Sequence, residues 1–134
     1  MGLDVYAEEL IYNYEHPANK RQMEDPTISI KEENVSCGDV VTVYLKIDKD
    51  VVKDVSFSGS GCVISMGTAN ILMNSIKGKR LDELEKISRQ DLLKLINIDP
   101  GPARMHCATL SLRAAKRAAL EYEHKPMDRE TKEL

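Results

Sequence analysis

The chain has no tryptophan, one phenylalanine and three cysteines in 134 residues. With aromatics at 4%, its core must be built from Leu, Ile, Val, Met and Ala. No stretch approaches the roughly 18 consecutive apolar residues of a membrane span, so no membrane association is expected. Asp4, Glu8 and Glu9 stand where a signal peptide would carry basic residues and then an apolar run. The net charge of −3 is spread over mixed signs, without the basic footprint of a nucleic-acid binder. An odd number of cysteines cannot complete a disulfide framework. The expectation is a soluble cytoplasmic protein whose thiols stay reduced, which favours metal binding or catalysis. The length suits one domain over residues 1–134.

Hydrophobic periodicity divides the chain into elements. Leu3, Ala7, Leu10, Ile11 and Tyr14 predict a helix from about Asp4, as N-cap, to Glu15, ended by Pro17. Residues 18–26 are polar and irregular and are expected to be mobile. Thr27–Lys31 and Val40–Ile47 alternate as strands. Val51–Phe57 completes a hairpin across Asp48-Lys49-Asp50, with Val51, Val55 and Phe57 on one face. Ser58–Cys62 is a glycine-bearing loop leading into a helix over Ser65–Lys77, with Gly78 as its C′ residue. Leu81, Leu84 and Ile87 suggest a short helix. Ser88 and Asp91 cap another that runs to about Asn97, with Leu92, Leu95 and Ile96 inward. After the break at Asp99-Pro100-Gly101-Pro102, a long helix runs from Ala103 or Met105 to about Glu123 on a stripe of Ala108, Leu112, Ala115, Ala119 and Tyr122. The charged residues 123–134 should fray. Strands segregated from helices give an α+β fold, with a three-stranded antiparallel sheet covered by helices on one face.

The three cysteines each fall at the end of a predicted element. They sit in Cys37-Gly38-Asp39, in Ser58-Gly59-Ser60-Gly61-Cys62, and in Met105-His106-Cys107. Cys62 precedes a helix, where free N–H groups and the dipole favour a thiolate. No C-x-x-C occurs, and separations of 25 and 45 residues do not match a zinc finger. Singly, each thiol is best read as a small buried hydrophobe, Asp39 as a turn residue and His106 as a surface residue. Jointly, three thiolates with Asp39 or His106 as a fourth group make a ligand set for zinc or an iron–sulfur cluster. Such a site should hold a cluster less firmly than four thiolates would.

These motifs, in this order, resemble the IscU/NifU N-terminal type of iron–sulfur cluster assembly scaffold, from about Val5 to Tyr122. Tyr14-Glu15-His16-Pro17-Ala18-Asn19 is similar to Y-E-N-P-x-N, and Cys37-Gly38-Asp39 is the family's C-G-D. Phe57–Ser65 is similar to F-x-G-x-G-C-A-I-S, Lys77-Gly78-Lys79 follows, and His106-Cys107 matches H-C. The resemblance implies an αβββααα order. It implies Cys37, Cys62 and Cys107 as ligands and Asp39 and His106 as alternate ligands. It also implies Cys107 as acceptor of persulfide from a cysteine desulfurase. A [2Fe–2S] cluster would be built from Fe ions with electrons from a donor such as ferredoxin, and passed to apo iron–sulfur proteins. Zn²⁺ would occupy the ligands when no cluster is present. Such a scaffold is not an enzyme with turnover. The alternative is a zinc-bound persulfide carrier, a sulfurtransferase working with the desulfurase. Pro100-Gly101-Pro102-Ala103-Arg104 stands where the family has L-P-P-V-K, which weighs against an Hsp70-type chaperone as partner. His106, and the lack of an insertion before Cys107, favour IscU over the SufU branch.

Overall fold

The computed structural model describes the backbone of residues 2–134 and the side chains of residues 8–134. The expected inward positions Leu3 and Ala7, and the Asp4 cap, therefore lie outside the described side chains. The first helix, α1, spans Gly2–Glu15. Three strands follow, β1 (Ile28–Asn34), β2 (Asp39–Asp48) and β3 (Val51–Ser60), then helices α2 (Val63–Ile76), α3 (Leu81–Glu85), α4 (Arg89–Ile96), α5 (Met105–Tyr122) and α6 (Arg129–Lys132). The sheet is antiparallel in the order β1-β2-β3. Helix α5 lies against β1 and β2, and α2 against β3 and α5, so the helices cover one face.

Alternation along β2 decides which face is covered. Val41, Val43, Leu45 and Ile47 are buried, while Val40, Thr42, Tyr44 and Lys46 are more open. Phe57 on β3, fully buried, contributes roughly 1.5–3 kcal/mol through its burial. The expected β3 face changes at its start. A register shift between Lys46 and Ile47 pairs Ile47 with Val52. The extra residue carries Val52 into the core in place of Val51, and period-two counting cannot see such a bulge. β3 also continues through Ser58–Ser60, which shortens the expected loop to Gly61 and Cys62.

Within the stretch expected to be mobile, residues 19–21 are held against the sheet. Phe57 N–H donates to the Asn19 carbonyl at 2.9 Å, and Arg21 N–H donates to the Phe57 carbonyl at 2.8 Å. This segment covers the outer edge of β3, which would otherwise present unpaired backbone groups. Its anchor is a polar seam. Asn70 of α2 donates to Asn13 Oδ1 at 2.8 Å, accepts from Asn19 N–H at 3.0 Å, and is 2% exposed. The seam explains a departure in α1: Leu10 and Asn13 are buried, while Ile11 and Tyr14, expected inward, are exposed. A hydrogen-bonded asparagine takes a core position that hydrophobic periodicity assigns to apolar side chains.

Two further expectations change towards the C-terminus. The capping box at Ser88 and Asp91 forms, but Leu95 is 41% exposed and only Leu92 and Ile96 of that trio are buried. Tyr122, placed on the inward stripe of α5, is also open to solvent, whereas Ala108, Leu112, Ala115 and Ala119 are buried. The charged tail folds back as α6. Asp128 caps it by accepting from Thr131 N–H at 2.8 Å, and Thr131 and Leu134 are buried. Arg113 and Arg89 donate to the carbonyls of Lys132 and Glu133 at 2.9 and 2.8 Å. The tail docks through its main-chain carbonyls and two buried side chains, so its charged composition alone points the wrong way.

Candidate metal and sulfur site

The turn between β1 and β2 positions the first thiol. Asn34 pairs with Asp39 at the strand ends, and its carbonyl accepts from the N–H groups of Cys37 (3.2 Å) and Gly38 (2.8 Å). Gly38 closes the turn at φ +75°, a left-handed conformation that glycine adopts at no steric cost. Cys37 is exposed there, while Asp39, the first residue of β2, is 2% exposed.

Cys62 caps α2. Its N–H donates to Asp39 Oδ1 at 3.2 Å, and its Sγ lies 3.9 Å from Asp39 Oδ2 and 3.7 Å from Ser65 Oγ. Partial burial pushes this thiol up, but hydrogen bonds from the Ser65 backbone and hydroxyl and the Ile64 N–H outweigh burial and the Asp39 charge. The net shift is downward. Gly61 makes this contact possible. A Cβ there would meet Ser65 Oγ and would stand 2.7 Å from Asp39 Oδ1.

Cys107 enters from the first turn of α5. Its Sγ is 3.2 Å from Cys37 Sγ, and the residue is 1% exposed. Burial, then hydrogen bonding with Cys37 and Asp39, then the charges of Cys62 and Asp39, push its thiol far up. The ligand atoms of Cys37, Asp39 and Cys107 all lie within 4.8 Å of one another. Cys62 joins this group through Asp39. Two thiolates on a tetrahedral zinc at about 2.3 Å stand about 3.8 Å apart. Cys37 and Cys107 therefore need to open by only about half an ångström to share one ion. Three sulfurs and a carboxylate suit zinc or iron–sulfur chemistry, so the residues fit the groups expected of them.

A cavity of about 560 Å³ opens over this group, lined by Cys37, Gly38, Asp39, Ser60, Gly61, Cys62 and Arg104. His106 is not part of the group. It is exposed and lines a separate cleft with Glu33, Asn34 and Arg113. The structure thus gathers Cys37, Asp39, Cys62 and Cys107 and turns His106 aside. Three participants escape sequence reasoning. Asn34 donates from Nδ2 towards Cys37 Sγ (3.5 Å) and Cys107 Sγ (3.7 Å). Ser65 supports Cys62, and Arg104 lines the cavity. Ser65 had a usable signal, a hydroxyl three residues after a helix cap. Asn34 and Arg104 had only their place three residues before a cysteine.

Among the described residues, no helix is long and apolar enough to cross a membrane. The sequence pattern of the NifU-like N terminal domain family matches residues 5–129. The chain is 32% identical over 130 residues to the iron–sulfur cluster assembly scaffold protein IscU of Thermotoga maritima, covering 85% of this chain and 92% of that one. It is 30% identical over 136 residues to the zinc-dependent sulfurtransferase SufU of Bacillus subtilis, covering 89% and 92%. The fold is also that of the N-terminal part of a NifU-like protein from Brucella abortus, with a TM-score of 0.79 at 20% identity, covering 92% and 97%. A three-stranded sheet with its thiols at three element ends, matched along nearly the whole chain, establishes that this protein belongs to the NifU-like N-terminal domain family of iron–sulfur assembly proteins.

Proposed function

We propose that the chain is a scaffold on which a labile [2Fe–2S] cluster is assembled and from which it is passed to apo-proteins. The observation that carries this reading is the convergence of Cys37, Asp39 and Cys107 within 4.8 Å, with Cys62 3.9 Å from the same carboxylate. Iron and sulfide are cargo here. Cys37, Cys62 and Cys107 hold the cargo as thiolates, and Asp39 supplies a harder, more exchangeable oxygen ligand. His106 takes part only if the first turn of α5 rotates.

Sulfur arrives as persulfide from a cysteine desulfurase, with Cys107 as the acceptor. Its thiolate attacks the terminal sulfur of the donor persulfide, the donor S–S bond breaks, and the donor cysteine leaves as thiolate. Each transferred sulfur then needs two electrons to become sulfide, which a ferredoxin-type donor supplies. Since Cys107 is 1% exposed, uptake requires the 35–38 turn to open or sulfur to pass through exposed Cys37. Anaerobic reconstitution with ferrous iron, cysteine and a desulfurase tests the scaffold reading, followed by addition of apo-ferredoxin. A cluster that forms and moves to the ferredoxin supports it, and failure to form any cluster sinks it.

A zinc-bound sulfur carrier is the second reading. Three sulfurs gathered around one carboxylate favour it, as does 30% identity to a zinc-dependent sulfurtransferase. It predicts tightly held zinc and persulfide on a cysteine, with no cluster under the same conditions.

A further inference from the structure

The side chain of Asn34 donates towards both the exposed and the buried thiol. Its Nδ2 lies 3.5 Å from Cys37 Sγ and 3.7 Å from Cys107 Sγ, two sulfurs 70 residues apart in sequence and 3.2 Å apart in space. Its backbone carbonyl holds the Cys37 and Gly38 N–H groups. Main chain and side chain therefore do separable things: the carbonyl closes the turn, and the amide faces the sulfurs. A thiolate is an acceptor only, so the amide must present its NH₂ group and not its oxygen. A side-chain amide has two N–H donors, enough for one bond to each sulfur.

From this geometry we propose that Asn34 is a positioning residue for the metal–thiolate site, donating from its amide to the sulfurs of Cys37 and Cys107. This inference rests on the metal-site reading above. The amide fixes both sulfurs on the metal's side and draws charge from them, which tunes any metal or cluster they bind. Asn34 also lines the cleft that holds His106. Removing the amide loosens the sulfurs.

The test uses Co²⁺ as the probe metal on the whole chain, comparing the parent with Asn34→Ala and Asn34→Asp. Asn34→Ala keeps the backbone carbonyl that closes the turn. Asn34→Asp keeps the side-chain shape but replaces the donor with an acceptor. Thermal unfolding of the metal-free proteins reports any loss of fold separately. The expected result is a shift of the sulfur-to-cobalt charge-transfer band to longer wavelength in Asn34→Ala, because an undonated thiolate is more electron-rich. Co²⁺ affinity should fall about 10- to 100-fold in that variant. Asn34→Asp should shift the band the same way. Bands and affinities equal to the parent's in both variants would overturn the role. A parent that shows no sulfur-to-cobalt band at all would overturn the metal-site reading itself, which separates the two failures.

Discussion

Gly61 is the position where one added carbon should damage the site most cleanly. A Cβ there would lie 2.7 Å from Asp39 Oδ1, 3.0 Å from Asp39 Cγ, and against Ser65 Oγ. Asp39 has little room to retreat, being 2% exposed and accepting the Cys62 N–H. Overpacking of this kind costs about 1–3 kcal/mol, and a lost hydrogen bond to a charged group about 1.5–3 kcal/mol. The two losses overlap, since moving the carboxylate relieves the clash, so the net should be about 3 kcal/mol. At about 2.1 cal/mol/K per residue of unfolding entropy, that lowers the melting temperature by about 10 °C. If the carboxylate instead swings into the cavity, the fold is spared and metal affinity bears the loss. Gly61→Ala is therefore measured twice, by calorimetry without metal and by zinc competition titration. Unchanged melting together with unchanged zinc affinity would refute the claim that Gly61 makes room for Asp39.

Asp39→Ala should retain a reconstituted cluster longer in the presence of apo-ferredoxin, read by the decay of its visible circular dichroism; equal or faster release would remove the carboxylate from the exchange step. In the metal-free protein, Cys107 keeps its proton beyond the ordinary thiol value of 9.0 because of burial and its hydrogen bonds. Above about pH 9 the unfolded chain binds fewer protons than the folded one, so stability is present below that pH and is lost as pH rises. Cys107→Ala should flatten this alkaline decline in melting temperature, and a decline of equal slope would contradict the assignment. Asn70→Ala leaves Asn13 Oδ1 without its donor and Asn19 N–H without its acceptor. It should cost about 2–4 kcal/mol and speed hydrogen exchange at the Arg21 and Phe57 amides, which untouched exchange would disprove. Deleting residues 129–134 removes buried Thr131 and Leu134 and strips Arg113 and Arg89 of their carbonyl partners. A lower denaturation midpoint is expected, and an unchanged one would show the docked tail to be without consequence.

The strands and long helices were legible because burial on one face writes a period into the sequence, as Val41 to Ile47 and Ala108 to Ala119 show. The grouping of the three cysteines was legible because each falls at the end of a predicted element beside a glycine or polar residue. Four features were hidden for physical reasons. The bulge that exchanges Val51 for Val52 depends on pairing with Ile47, which no local window contains. The Asn13–Asn70–Asn19 seam substitutes hydrogen bonds for apolar contact, so its core positions carry a polar signature. Arg89 and Arg113 draw the C-terminal residues into place through main-chain carbonyls, which have no sequence signature at all. Asn34 is hidden in the same way, since its role appears only when Cys107 arrives from the other end of the chain.

His106 and Cys107 are consecutive residues of one helix, and consecutive side chains diverge by about 100° around a helix axis. With Cys107 turned to Cys37 and His106 turned to the neighbouring cleft, the start of α5 divides its sulfur and its imidazole between two surfaces. As folded, the helix presents sulfur, and not imidazole, to Cys37 and Asp39. The short 3-10 helix Pro102–Arg104 leads straight into this divided turn, so the direction in which the chain enters α5 decides which of the two faces the thiols meet.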